Sequence, residues 1–358
     1  MDMSSQRELL RASPASEIPQ LAVEITAALV GTGPALGFGD VGSKVAPKNI
    51  AIVIGTSGST GLSKEVGFTR TSLLASAQAS NSFLGAHIGA QWSLLLPVTH
   101  IAAVNVIIRS MEVGTLPVDL RNFDGDYPAV DFTSIVPTQL FRALNSDERL
   151  LRHLQSATAV LVGGAALTSS LRTQANNAGI NTIETYGMTE TCGGCIYNGE
   201  ALDGVDFAIS DHGLIQIRGS VLAHGYINSA STFHDHDGWF ISNDRGEIID
   251  GRLHVLGRAD DVIITGGENL SLTAVEATLS VRYPELECAA FAIKDPQWGQ
   301  ALHLAIVGHA NLTEISHYLE AALGEIAKPK GIHLLDSLPL LGIGKVNRLA
   351  LAEMVEHE

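Results

Sequence analysis

The chain has 358 residues, 46% of them hydrophobic and 17% charged, which suits two packed domains, or one large and one small, and excludes a disordered chain. Its 22 Lys+Arg against 38 Asp+Glu give a formal charge of −16, so a phosphate backbone is repelled and non-specific nucleic-acid binding is excluded. The 3 cysteines, odd in number and few, argue against a disulfide framework and for a reducing, cytoplasmic setting.

The opening segment MDMSSQRELLRASPASEIPQ has no basic stretch followed by an apolar run, so no signal peptide is expected. No stretch reaches the ~18 apolar residues of a spanning helix. Ala51–Ile54 reads as a buried strand, and Thr71–Gly85 as a helix. Strand-like runs recur at Leu94–Leu96, Ser134–Val136, Ala159–Val162 and Thr182–Thr185. Ile101–Ile108 fits a buried strand or a core helix, and Gln139–Leu154 a helix. This alternation predicts an α/β domain with a largely parallel sheet. From about Gly204 the turn signals crowd together, at Asp211-His212-Gly213, Asp237-Gly238 and Asp250-Gly251. They predict antiparallel hairpins in a small barrel or β-subdomain over about 204–258. Beyond it, a helix at Leu272–Tyr283, strands at Cys288–Lys294 and Ala301–Gly308, and a helix at Leu312–Ala327 predict a small α+β domain. The boundary falls near Ala259–Asp260, dividing the chain into 1–258 and 259–358.

Chemistry concentrates in a few segments. Ile54 to Lys64 packs glycines, serines and threonines behind a strand and ends in lysine. Successive N–H groups and hydroxyls in such a loop can wrap phosphate oxygens, and Lys64 adds a positive charge. A Walker A loop is excluded, because Ser63 precedes Lys64 and Glu65 follows it. A plain flexible loop is the alternative. In Glu184–Thr191, Glu190 is a candidate Mg²⁺ ligand, Thr189 can bond a phosphate and Tyr186 can stack on a base; otherwise the segment is a polar loop. Asp244 can accept both hydrogen bonds of a ribose diol and Arg258 can donate to ribose or phosphate, unless both are ordinary hairpin residues. Lys345 lies in a Gly-flanked turn near the C-terminus, where it is either deliverable to a distant site or simply solvated. Cys192 and Cys195 form a Cys-Gly-Gly-Cys pair with no partner pair elsewhere, which reads as two small residues in a tight loop rather than a redox or half-zinc site.

In their order and spacing these segments resemble the adenylate-forming superfamily of acyl-CoA synthetases, peptide-synthetase adenylation domains and luciferases, over roughly residues 50–350. The resemblance implies a nucleotide site made of Thr56, Ser57, Gly58, Ser59, Thr60, Gly61 and Lys64, with Gly163, Gly164 and Ala165, then Tyr186, Gly187 and Met188, and finally Asp244 and Arg258. It implies catalytic roles for Thr189, Glu190 and Lys345, with Mg²⁺ on Glu190, and a hinge at Asp260 within Gly257–Asp261. Gly266 and Gly267 would let the pantetheine arm of CoA pass close to the backbone, and His100 would line the acyl pocket unless it is a core histidine satisfied by a backbone carbonyl. Arg109 and Ser110 are placed to meet a second carboxylate, although a surface arginine fits the sequence equally well. Ser63 stands where the superfamily usually has proline, Ser242-Asn243 replaces Thr-Gly, and Thr265 replaces lysine.

Leu96–His100, Ser134–Leu140, Tyr186–Gly194 and Thr265–Asn269 are similar to the o-succinylbenzoate–CoA ligases of menaquinone biosynthesis. The short chain resembles their compact actinobacterial members, which lack much of the first N-terminal subdomain. The implied reaction consumes ATP and CoA with Mg²⁺, passing through an acyl-adenylate to a thioester. A ligase for another carboxylic acid, an adenylation enzyme that loads a carrier protein, and a non-catalytic nucleotide binder are the competing expectations. The expected partners are therefore small molecules, without nucleic acid or a membrane span, and a homodimer is left open.

Overall fold

The computed structural model describes residues 5–56, 63–229, 233–340 and 346–356. A large N-terminal α/β domain carries a small β-subdomain and is followed by a small α+β domain. The first sheet is six-stranded, in the order Gly225–Tyr226, Lys64–Thr69, Ile50–Thr56, Ala35–Phe38, Gln6–Arg11, Val45–Pro47. Its central strand, Ile50–Thr56, is buried along almost its whole length, as a strand covered on both faces must be. Ile52 and Ile54 point into the main core, while Val53 between them packs with Leu9 and Val41 in a smaller cluster. The strands and the helix Ile18–Val30 that precede Ile50 went unread in the sequence, where short runs and a proline near the helix start mask the periodicity.

The second sheet is seven-stranded: Glu200–Ala201, Gly193–Tyr197, Thr182–Met188, Ala159–Val162, Phe132–Ile135, Trp92–Leu94, Val118–Asp119. From Thr182–Met188 onward every neighbouring pair is parallel, as expected. The strand expected at Leu94–Leu96 lies two residues earlier, and Ile101–Glu112 is a helix. The single helix expected over Gln139–Leu154 is two, Pro137–Asn145 and Glu148–Ser156. The break comes from Asp147, whose side chain accepts from Leu150 N at 2.9 Å and so opens a second helix.

The β-subdomain is an open four-stranded antiparallel sheet rather than a barrel, in the order Val205–Ile209, Leu214–Gly219, Phe240–Ile249, Arg252–Arg258. Its last hairpin turns at Asp250 and Gly251, both at positive φ (51° and 77°), which suits a tight hairpin. A 3₁₀ turn, Ala259–Asp261, then leads to the fourth sheet, made of Val262–Thr265, Glu268–Ser271, Glu287–Asp295, Gly299–Val307 and Gly331–Leu334. The helices Leu272–Arg282 and Leu312–Leu323 pack in a core with Ile263 and Leu304. The helix Arg348–Glu356 joins a separate cluster through Leu351, with Phe291 and Ala305. The helix expected to reach Ala327 stops at Leu323, because Gly324 leaves helical geometry at φ 94°. No helix among the described residues is long and apolar enough to cross a membrane.

Candidate active site

The hairpin Ile50–Thr56/Lys64–Thr69 carries the Gly/Ser-rich loop at its tip. Thr56 and Lys64 are paired across it, and Thr56 Oγ1 donates to the Lys64 carbonyl at 3.2 Å. Ser63 Oγ lies 2.9 Å from the Asp40 carbonyl and 3.0 Å from that of Thr56, so the base of the loop is tied on both sides. Glu65 is buried and accepts from the N–H groups of Gly42 (2.6 Å) and Ser43 (3.1 Å). Ser57, Gly58, Ser59, Thr60 and Gly61 lie outside the described residues, as does Lys345.

The short strand Gly225–Tyr226 pairs with Lys64–Thr69 and brings Tyr226 to the loop base. Lys64 Nζ stands 5.1 Å from the centre of its ring, and the Tyr226 hydroxyl donates to Glu190 Oε1 at 2.9 Å. Lys64 and Glu190, far apart in sequence, therefore meet through one tyrosine. Burial, and then the Glu190 charge, push the Tyr226 phenol above its ordinary range, so it stays protonated and donates. The other Glu190 oxygen accepts no hydrogen bond from a described residue. One open carboxylate oxygen fits Mg²⁺, which takes one or two carboxylates and completes its shell with phosphate and water oxygens.

A second tyrosine–carboxylate pair starts from Thr182–Met188 of the second sheet. The Tyr186 hydroxyl donates to Asp244 Oδ2 at 2.8 Å, and Ser242 Oγ accepts from Asp244 N at 3.1 Å. Burial and the Asp244 charge push the Tyr186 phenol upward, fixing it as the donor. Asp244 faces Arg258 in the antiparallel register, with Arg258 Nη1 3.8 Å from Asp244 Oδ1. This joins Thr182–Met188 of the second sheet to the β-subdomain.

Two glycines are dictated by close approach here. A Cβ on Gly163 would lie 2.2 Å from Thr185 Oγ1, and one on Gly187 would lie 2.0 Å from the Gly193 carbonyl. Gly163, Gly164 and Ala165 follow Ala159–Val162, beside the strand that delivers Tyr186, Gly187 and Met188, and so share its end of the sheet. Thr189 and Glu190 form a 3₁₀ turn with Thr191, whose Oγ1 caps it by accepting from Met188 N at 2.9 Å.

The helix Ile101–Glu112 passes against this turn. His100 is its N-cap residue and half-buried. Asn105 Nδ2 donates to the Cys192 carbonyl, and Arg109, one turn further on the same face, donates from Nη2 to the Tyr197 hydroxyl at 3.1 Å. Arg109 is 4% exposed, so the surface reading is wrong: its guanidinium lies 5.4 Å from the Trp92 ring, Nε has no hydrogen bond and no described carboxylate pairs with it. Ser110 is also buried, with a hydroxyl that bonds nothing. Cys192 and Cys195 are fully buried free thiols, each pushed up to about 12 by burial, which makes them inert packing residues.

Gly266 and Gly267 occupy the exposed turn between Val262–Thr265 and Glu268–Ser271, away from the two tyrosine pairs in the chain and on another sheet. Asp260 sits in the 3₁₀ turn between the third and fourth sheets. The sequence missed Tyr226 and Asn228. Asn228 Oδ1 accepts from Glu65 N at 3.0 Å and its Nδ2 donates to the Ser63 carbonyl at 2.8 Å, which braces the loop from across the chain.

The AMP-binding enzyme family model matches residues 5–225, and that of the AMP-binding enzyme C-terminal domain matches 275–345. The chain belongs to the AMP-binding enzyme family. This AMP-binding enzyme is 36% identical over 345 residues to a probable 2-succinylbenzoate–CoA ligase of Mycobacterium tuberculosis, covering 90% of this chain and 89% of that one. It is 29% identical to the 2-succinylbenzoate–CoA ligase of Bacillus licheniformis, covering 83% and 69%. Its fold matches the o-succinylbenzoate CoA synthetase of Bacillus subtilis solved with its acyl-adenylate intermediate, at a TM-score of 0.72 and 23% identity, over 92% of this chain and 80% of that one.

Proposed function

We propose that this AMP-binding enzyme is an ATP-dependent acid–CoA ligase that activates o-succinylbenzoate as an acyl-adenylate and transfers the acyl group to CoA. The match to ligases of that name over nine-tenths of the chain supports the reaction class. The observation that carries the choice of acid is Arg109. A buried cation without a carboxylate is costly unless something balances it, and an anionic group of the substrate supplies that balance. A dicarboxylic acid offers one carboxylate for activation and one for Arg109.

Attack of the first carboxylate on the α-phosphate brings two anions together, so the barrier is largely charge repulsion. Glu190 would hold Mg²⁺, which neutralises phosphate charge. The Thr56–Lys64 loop would cradle the phosphates, and Asp244, steadied by Tyr186 and Arg258, would accept the ribose hydroxyls. Lys345 would donate to the developing charge, brought in by a swing of the small domain at Asp260. A second swing would admit the CoA thiol past Gly266 and Gly267 to the acyl carbonyl, with AMP leaving.

The test is pyrophosphate release across a panel of aryl mono- and dicarboxylic and fatty acids, with thioester formation followed on free CoA and on a carrier protein. The proposal expects release with o-succinylbenzoate well above the other acids, and transfer to free CoA. Preference for a monocarboxylic acid, or transfer to the carrier protein alone, overturns it.

A further inference from the structure

The structure describes both ends of the segment that carries Lys345. Leu340 and Val346 form an antiparallel bridge, and Asn347 N donates to the Pro339 carbonyl at 2.8 Å. Val346 also packs against the cluster of Phe291, Leu338 and Leu351. Just beyond it, at the start of the last helix, Arg348 reaches back into the small domain. Its Nη2 lies 2.9 and 3.0 Å from the two oxygens of Glu276, its Nε donates to the Ala290 carbonyl at 2.9 Å, and its Nη1 is 3.4 Å from Asp261 Oδ2. Glu276 Oε1 in turn accepts from Ala290 N at 2.8 Å. One planar guanidinium thus joins the 3₁₀ turn Ala259–Asp261, the helix Leu272–Arg282, the strand Glu287–Asp295 and the root of the lysine segment. Lysine cannot copy this, because a single ammonium has no rigid fork of donors.

Resting on the ligase reading above, we infer that Arg348 is a positioning residue for Lys345, clamping the root of the lysine segment to the turn on which the small domain swings. The physical reason lies in how the lysine is delivered. A rotation at the turn places Lys345 accurately only if everything between the pivot and the lysine moves as one body. Slack there changes the position of the ammonium without changing the ATP cradle, which belongs to the other domain. A misplacement of about 1 Å can cost on the order of 100-fold in rate. Thioester formation does not use Lys345 and tolerates the slack.

The experiment takes Arg348→Gln, Arg348→Lys and Glu276→Gln in the full chain. Adenylation is read as pyrophosphate release, and the second step as thioester formation from a supplied acyl-adenylate. Amide hydrogen exchange is followed over residues 259–263 and 346–350. Arg348→Gln is expected to slow adenylation about 10- to 100-fold with the KM for ATP unchanged, and to alter the second step by less than about threefold. Glu276→Gln, which keeps the side-chain shape, should act in the same direction, and Arg348→Lys should recover part of the loss. Exchange should quicken in both segments together. Equal loss in the two half-reactions, or faster exchange confined to 346–350, overturns the inference. If the unmodified enzyme adenylates no acid, the ligase reading falls, and the exchange measurement still decides the clamp.

Discussion

Arg109 and Arg348 are both withdrawn from solvent, but Arg348 faces two carboxylates, whereas Arg109 faces a tryptophan ring, a tyrosine hydroxyl and no acid among the described residues. The difference separates a charge tied into the protein's own ion pairs from one that the proposed function assigns to the substrate. A guanidinium satisfied by Glu276, Asp261 and a backbone carbonyl has no capacity to spare. One with an unbonded Nε and no counter-charge among the described residues keeps that capacity, which is why the proposed function gives it the second carboxylate of the substrate. His153 meets the same problem in a third way. Its Nδ1 lies 2.9 Å from the Pro128 carbonyl, which can only accept, so Nδ1 carries a proton, and its Nε2 lies 2.9 Å from Ser93 Oγ, whose own proton goes to Thr133 Oγ1; burial disfavours the charged ring.

The largest effect belongs to Lys345→Ala, which sets the scale of a purely catalytic loss. Adenylation should slow at least ~100-fold while thioester formation from supplied acyl-adenylate persists, as single-turnover measurements of each step would show. Near-normal adenylation in this variant would remove the lysine from the mechanism. Arg109→Met should lower kcat/KM for o-succinylbenzoate by about 30-fold, roughly 2 kcal/mol, because the substrate anion would then enter an uncompensated site. Its Tm should hold or rise, since a buried unpaired charge has been removed. A fall in Tm without loss of activity breaks the distinction between the two arginines.

Arg348→Met should do the reverse to stability. Removing one partner leaves Glu276 exposed to burial without its counter-charge, at a cost of about 2–3 kcal/mol, below the ~3–5 of a fully buried pair because Arg348 is 29% exposed. Urea denaturation reads this directly. Asp260→Pro should impair thioester formation more than adenylation, because proline fixes φ at the pivot; equal losses would argue against a hinge there.

The smallest effect concerns pH. Burial holds the His153 imidazole below its ordinary 6.5, and burial beside His333 does the same to His303. The folded state therefore binds these protons more weakly than the unfolded chain does. Their contribution is complete above 6.5 and is lost as pH falls through the folded values. Tm should decline between about pH 7 and 5, and less steeply in His153→Asn. An identical slope in the variant would remove His153 from the explanation.

The sequence made legible those parts of the molecule that are written locally. The Asp250-Gly251 turn and the change of texture near Gly204 each follow from backbone chemistry within a few residues, whereas most of the glycines and hydroxyls before Lys64 lie outside the described residues. Long-range pairing was not legible. Tyr226 becomes part of the site only because Gly225 pairs with Gly67, and nothing within a two-residue strand announces that partner. The end of an apolar run could not say whether Arg109 turns toward solvent or inward, because that depends on where Trp92 and Tyr197 arrive from other elements. The break at Asp147 was missed because hydrophobic spacing continues across a cap that interrupts the helix.

The central claim is that Arg109 is a buried charge completed by the substrate. Its most direct test compares o-succinylbenzoate with an analogue whose second, unactivated carboxylate is replaced by a methyl group, on the unmodified enzyme and on Arg109→Met. The account predicts a preference of about 30-fold for the diacid in the unmodified enzyme, collapsing to within about threefold in the variant. A preference that survives unchanged without the guanidinium would place the second carboxylate elsewhere and contradict the account.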